Sequence, residues 1–283
     1  MSYYQPSRFQ VLPPVVKNLL IINALFFLAT IAFESAFRID LTKILGLHYF
    51  AASDFKPYQF VSYMFMHGGF THILFNMFAL WMFGNNIENV WGGKRFLTYY
   101  MVTGIGAGII YMVWIHFQMA PDLKLMEQFI SSSNVVDLRE LLSSHVFRID
   151  SNAGSVWEQY QIFERNLQTI SNNPDNTQAL RQAVEFIQSY REYFMNQSVV
   201  VGASGAVFGI LLAFGMMFPN AIIYIYFAFP LKAKYFVIIY GLFELFEGVM
   251  NRPGNNIAHF AHLGGMFFGY FLILYWRKKG ELY

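Results

Sequence analysis

His72, Asn76, Ser204 and His262 are polar side chains set within otherwise apolar stretches of this 283-residue chain. Polar groups inside membrane-like apolar segments are costly to keep, which makes them functional candidates by default. A serine hydroxyl is a poor nucleophile until a base within hydrogen-bond reach takes its proton, and imidazole titrates near neutrality. Ser204, in the run Gly202-Ala203-Ser204-Gly205, and His262 therefore form a candidate nucleophile and general base, a pair that needs no third, acidic member to be defined. His72 and Asn76 are four residues apart, hence on one face of a helix. Both can donate hydrogen bonds to the negative oxygen of a tetrahedral intermediate, where loss of one donor costs on the order of 3 kcal/mol. Taken singly, each signal has a plainer reading. A serine among small residues usually packs helices, and a membrane histidine can be a proton relay or a hydrogen-bonded core residue.

These residues need elements to position them, and composition says which kind. Hydrophobic residues make up 56% of the chain and charged residues 13%, against about a quarter charged in soluble domains. The expected fold class is an all-α polytopic membrane protein. A net charge of +2 is too small and too scattered for a nucleic-acid partner, and the absence of cysteine excludes disulfides, thiolate metal sites and a cysteine nucleophile. No metal or cofactor is expected. Six apolar stretches approach the roughly 20 residues needed to cross a bilayer core, at residues 15–33, 66–83, 96–117, 199–218, 235–249 and 257–276. Residues 1–14 carry no signal-peptide pattern, so the first stretch is expected to be a retained span.

Cytoplasmic loops collect Lys and Arg. Arg8 and Lys17, Lys94 and Arg95, Lys232 and Lys234, and Arg277, Lys278 and Lys279 all fall on one side of a six-span arrangement. Both termini are then cytoplasmic, including the tail 277–283, and stretches two, four and six enter from the outer face. Ser204 lies five residues beyond Val199, His262 five beyond Ile257, and His72 and Asn76 five and nine beyond His67. At about 1.5 Å per helical residue these groups share one depth, one to two turns below the outer surface. Gly202 and Gly205 permit close backbone approach, and Gly265 with Gly269 makes a Gly-x-x-x-Gly face by which helix six would pack on helix four.

Residues 118–198 separate the blocks 15–117 and 199–276 and do not belong in a membrane. They hold ten acidic and six basic residues, a net charge of −4 (six minus ten). Ser155 with Glu158 reads as a capping box and Asp175 with Gln178 as a weaker one. The expectation is an extracytoplasmic insertion of about three helices, near residues 123–142, 156–170 and 177–195. A lid or packing appendage is its simplest role, and its position just ahead of Ser204 suggests that it restricts or recruits substrates.

At this point the motifs resemble the rhomboid family of intramembrane serine proteases. The carriers are His67, His72 and Asn76 in His67-Gly68-Gly69-Phe70-Thr71-His72-Ile73-Leu74-Phe75-Asn76, then Gly202-Ala203-Ser204-Gly205, then Ala261-His262-Leu263-Gly264-Gly265. Gly84, Glu88 and Gly92 fit the inner turn after helix two. The resemblance implies a six-transmembrane-helix rhomboid-like bundle in a lipid bilayer, in a bacterial inner (plasma) membrane. It implies cleavage of single-pass transmembrane protein substrates near the outer end of their helix by a Ser204–His262 dyad, with His72 and Asn76 in the oxyanion hole. Two family features differ: Tyr58-Gln59 stands where Trp-Arg is common in the first outer loop, which weakens the expected anchoring there, and Phe208 replaces a frequent Tyr while still able to stack on the histidine. His259 and His67 are expected to be structural, and His48, His116 and His145 interfacial or solvated. A catalytically dead, client-binding relative would lack the serine or the histidine. A transporter would need a polar line into the inner half, where stretches two, four and six are nearly all apolar. Glu244 and Glu247 are the best support for transport, and fit a cavity rim equally well.

Overall fold

A computed structural model describes residues 10–225, 228–250 and 258–280. Arg8 and the rest of residues 1–9, the first residue of the sixth stretch (Ile257) and the last three of the tail lie outside the described residues. The helices are α1 (Pro14–Phe37), α2 (Leu41–Leu45), α3 (Gln59–Ser62), α4 (Phe70–Trp91), α5 (Gly93–Ser132), α6 (Val135–Ser144), α7 (Ser155–Asn172), α8 (Thr177–Gln197), α9 (Ser204–Met217), α10 (Ala233–Met250) and α11 (His259–Lys278). The short strands are β1 (Leu47–His48), β2 (Val199–Val200), β3 (Ile222–Ile225) and β4 (Phe229–Lys232). The chain separates into two compact units, one of Met1–Leu47, Lys56–Val113 and Val199–Tyr283, the other of His48–Phe55 and Trp114–Ser198.

In the first unit a helix occupies each of the six apolar stretches, at α1, α4, α5, α9, α10 and α11. Among the described residues two of them, α1 and α5, are both long and apolar enough to cross a membrane, and α9 is a shorter apolar helix of 14 residues. The fourth stretch begins differently from expectation. Residues 199–203 are not helical, and Ser204 opens α9. The helical rise therefore does not apply across Val199 to Ser204, and the depth count there understates the path. A hairpin unforeseen in the sequence joins α9 to α10, with Ile222 opposite Lys232 and Ile225 opposite Phe229.

The ends of the helices are held by specific polar groups. Pro14 opens α1, where its missing N–H costs nothing. The next two amides, Val15 and Val16, donate to Glu88 near the end of α4, at 2.9 and 2.7 Å. Glu88 is buried, and these two bonds offset its desolvation while placing a negative charge at the positive end of a helix. Tyr58-Gln59 anchors the loop between α1 and α4 despite departing from the pair common in the family. The Tyr58 hydroxyl and the Gln59 amide both donate to the Ile44 carbonyl, at 3.1 and 3.2 Å, and the Ser62 hydroxyl donates to Leu45 at 2.6 Å.

The second unit has its own apolar core, built from Phe129, Leu141, Phe163, Phe186, Ile187 and Tyr190. Its first helix is not separate from the third apolar stretch. α5 continues through Pro121 to Ser132, where Ser133 adopts a φ of 51°. At about 1.5 Å per residue, a helix of 40 residues is about twice as long as a bilayer core is thick. The expected caps also shift. Ser155 follows Gly154, which occupies the cap without a side-chain bond, and Asn176 rather than Asp175 caps α8 through the Ala179 amide at 3.0 Å. His145 is buried rather than solvated, with Nδ1 3.2 Å from Asp122 and Nε2 2.8 Å from the Tyr190 hydroxyl. Burial pushes that phenol up to about 12. His48 is buried as well. Residues 48–55 of the loop between α1 and α4 belong to this unit: the Ser53 amide donates to Glu192 at 3.0 Å, and Asn196 donates to the Ser53 hydroxyl at 3.1 Å. Hydrogen bonding to Ser53 holds the Glu192 carboxyl below its ordinary value.

Candidate active site

Close helix contact places the serine beside the histidine. A Cβ on Gly265 of α11 would collide with the carbonyl oxygen of Gly205 on α9, and a Cβ on Gly205 would collide with the Ala107 methyl of α5. These two glycines let α11, α9 and α5 approach to backbone distance. Gly269 differs from expectation: it faces the Tyr99 hydroxyl and Thr103 of α5 rather than α9. Tyr99 also donates to the Gly209 carbonyl at 2.8 Å, so α5 ties both partner helices together.

Within that packing Ser204 Oγ is 2.9 Å from His262 Nε2. Phe208, one helical turn after the serine, lies flat on the imidazole with centroids 4.1 Å apart and planes 6° apart. The stack expected of this residue is present, and it fixes the ring's tilt. His262 Nδ1 is 2.9 Å from Glu244 Oε2 on α10, and His259 Nδ1 reaches the same oxygen at 2.7 Å. All three are buried, Glu244 most completely at 3% exposure. These donor atoms lie within 4.8 Å of one another, close enough to hold a metal ion. Two ligands on a tetrahedral zinc would stand about 3.3 Å apart, whereas 2.7 and 2.9 Å are hydrogen-bond lengths.

His72 approaches the serine from α4. Gly202 has a φ of +128°, a backbone region that side chains rarely adopt, and a Cβ there would lie 2.8 Å from His72 Cε1 and Nε2 and 3.5 Å from Ser204 Oγ. The imidazole thus borders Ser204 Oγ across a position that only glycine leaves open. The Gly68 amide points at His72 Nδ1 at 3.4 Å, which leaves Nε2 to carry the proton on the side of Gly202. Asn76, one turn deeper, is buried and spends one amide hydrogen on its own helix, donating to the His72 carbonyl at 3.0 Å. Its second amide hydrogen is available by chemistry. His67 is buried beside His72, ring centroids 5.1 Å apart.

Chemically this is a hydroxyl with a hydrogen-bonded base, and a second imidazole donor nearby. Ser204, His262, His72 and Asn76 were named from the sequence as site residues, whereas Glu244 was read there as support for transport or as a cavity rim, not as a partner of His262. The only signal available was that an acidic residue in an apolar helix demands a partner.

The description "Rhomboid domain" matches residues 54–121 and 180–279. The chain belongs to the rhomboid family. Residues 122–179, between the two matched parts, fall inside the insertion. Over 230 residues this rhomboid is 23% identical to an uncharacterised mitochondrial rhomboid protein of Schizosaccharomyces pombe, covering 76% of this chain and 50% of that one. Over 94 residues it is 28% identical to the rhomboid protease GlpG of Haemophilus influenzae, covering 33% of this chain and 49% of that protein. The chain thus spans about half the length of the curated relatives it matches. Family membership makes it an integral membrane protein of a serine protease family. One relative is mitochondrial and the other bacterial, so the comparisons single out no particular membrane.

Proposed function

We propose that this rhomboid is an active intramembrane serine endopeptidase. Ser204 is the nucleophile and His262 the general base, and the substrates are single-pass transmembrane proteins cut near the outer end of their helix. The observation that carries the reading is the 2.9 Å contact between Ser204 Oγ and His262 Nε2, made by residues from two different helices and held by the glycine contacts beneath it. A relative serving only to bind clients has no need of that geometry.

The chemistry follows from these positions. As Ser204 Oγ attacks the scissile carbonyl carbon, His262 Nε2 takes the hydroxyl proton and a C–O bond forms. The carbonyl electron pair moves onto oxygen, where His72 Nε2–H and the second Asn76 amide hydrogen supply stabilising donors alongside backbone amides. His262 then gives its proton to the leaving amine as the C–N bond breaks, which leaves an acyl-serine. Water, deprotonated by the same nitrogen, attacks that ester; the Ser204 Oγ–C bond then breaks, His262 returns the proton to Oγ, and the carboxylic acid product leaves. The remaining proposals are a six-span arrangement with both termini on the side of the Lys and Arg turns, and an insertion that influences which substrates reach the serine.

A fluorophosphonate probe tests the nucleophile without knowledge of the substrate. The wild type in detergent micelles is expected to be labelled at Ser204, and labelling is expected to vanish in Ser204→Ala. Labelling of Ser204→Ala equal to that of wild type would place the reactive group elsewhere.

A further inference from the structure

We infer that Glu244 is a positioning residue for this reaction, turning the serine–histidine pair into a hydrogen-bonded chain of Ser204, His262 and Glu244 braced by His259. The inference rests on the Ser204–His262 reading above. Three observations carry it, all within one unit of the fold. Glu244 Oε2 is 2.9 Å from His262 Nδ1, the nitrogen opposite the one that faces Ser204. The same oxygen is 2.7 Å from His259 Nδ1. Glu244 is 3% exposed, so its carboxylate is withdrawn from water.

A buried carboxylate is retained only with donors to satisfy it. Here the donors are two imidazole N–H groups converging on one oxygen, and that arrangement fixes the tautomer of both rings. With the His262 proton on Nδ1, its Nε2 presents a lone pair to the serine hydroxyl. An imidazole without an acceptor at Nδ1 is free to carry its proton on Nε2, where it cannot take another. When His262 becomes an imidazolium in the transition state, the carboxylate stabilises the new positive charge across a hydrogen bond already in place. No bond to Glu244 forms or breaks, and its proton count does not change. His259 is one turn before His262 on α11, so the carboxylate is gripped by two successive turns of one helix.

The test uses the full chain in detergent. Glu244→Ala is expected to lower kcat on the order of a hundredfold with KM unchanged, the lower end of what a well-placed base contributes. Glu244→Gln keeps an oxygen acceptor but not the charge and is expected to fall between that variant and wild type. Nitrogen-15 NMR of histidine-labelled protein, with His262→Gln used for assignment, is expected to show His262 protonated on Nδ1 in the wild type and on Nε2 in Glu244→Ala. A merely structural role would alter thermal stability and leave the tautomer alone. Should Glu244→Ala fail to fold, the wild-type tautomer and Glu244→Gln still decide. The inference is overturned by a wild-type His262 protonated on Nε2, or by Glu244 variants that turn over within twofold of wild type while Ser204→Ala is inactive. Wild-type turnover by Ser204→Ala would instead sink the proposed function, while the tautomer measurement still reports on Glu244.

Discussion

Replacing Gly202 with alanine perturbs the site through a single methyl group. At a φ of +128° the new Cβ would sit 2.8 Å from two atoms of the His72 ring, whereas ordinary contact begins at 3.4 Å, so something must move by at least 0.6 Å. The backbone strain of a side chain in that region costs on the order of 1–3 kcal/mol. The ring of His72 is the mobile partner, and it carries a donor proposed for the oxyanion. A displacement approaching 1 Å at a positioned group costs about a hundredfold in rate, and complete loss of one such donor costs about 10²–10³. Gly202→Ala is therefore expected to reduce kcat roughly a hundredfold, with KM little changed because the substrate's remote contacts are untouched. The assay is steady-state cleavage of a model single-pass substrate in detergent, corrected for the folded fraction by size exclusion and thermal unfolding. A folded Gly202→Ala with turnover within about threefold of wild type would refute the assignment of His72 to the oxyanion.

Other expectations concern the supports of the site. Gly265→Ala drives a methyl into the Gly205 carbonyl, so α9 and α11 must part. Overpacking of this kind costs about 1–3 kcal/mol, and activity should fall more steeply than thermal stability, because the 2.9 Å serine–histidine contact spans the same two helices. Phe208→Ala removes the ring stacked on His262 and should lower kcat about tenfold, while Phe208→Tyr should stay near wild type; equal rates for both would deny the stack a role. Deleting about residues 122–196 with a short linker also removes Glu192 and Asn196, which hold Ser53 of the loop between α1 and α4. Cleavage of a substrate panel is expected to change in choice or rate, and an unaltered panel would sink a role for the insertion in selection.

Much of this site was legible because its chemistry is unusual for its surroundings. Ser204, His72, Asn76 and His262 stand out as polar groups in apolar stretches, and the small residues near them announce close packing. Pairings between helices were harder to read. Gly269 carries the same spacing signal as Gly265, yet it meets α5, since spacing gives a face and not its partner. Glu244 was visible as an acid in an apolar helix, but its distance along the chain from His262 gave no reason to join them; only the packing of α10 on α11 does.

Local rules erred where tertiary structure competes with them. The third apolar stretch, ending at 117, and the first insertion helix, from about 123, were read as separate elements, but α5 runs through Pro121 to Ser132 and joins them. No element was read between the fourth and fifth apolar stretches, where Ile222–Ile225 pairs with Phe229–Lys232 as a hairpin. Val199 to Ala203 has the composition of a membrane helix, yet the positive φ at Gly202 makes Ser204 the first helical residue. That position places the Ser204 hydroxyl at the open end of a helix rather than on its side.

Everything proposed for this site requires that Ser204 and His262 act as nucleophile and base. Its most direct test is to purify the wild type, Ser204→Ala and His262→Ala in detergent and incubate each with the same model transmembrane substrate, reading cleavage by gel and the cut site by mass spectrometry. One cut near the outer end of the substrate helix is expected with the wild type, and none above background with either variant. Equal cleavage by wild type and Ser204→Ala would contradict it.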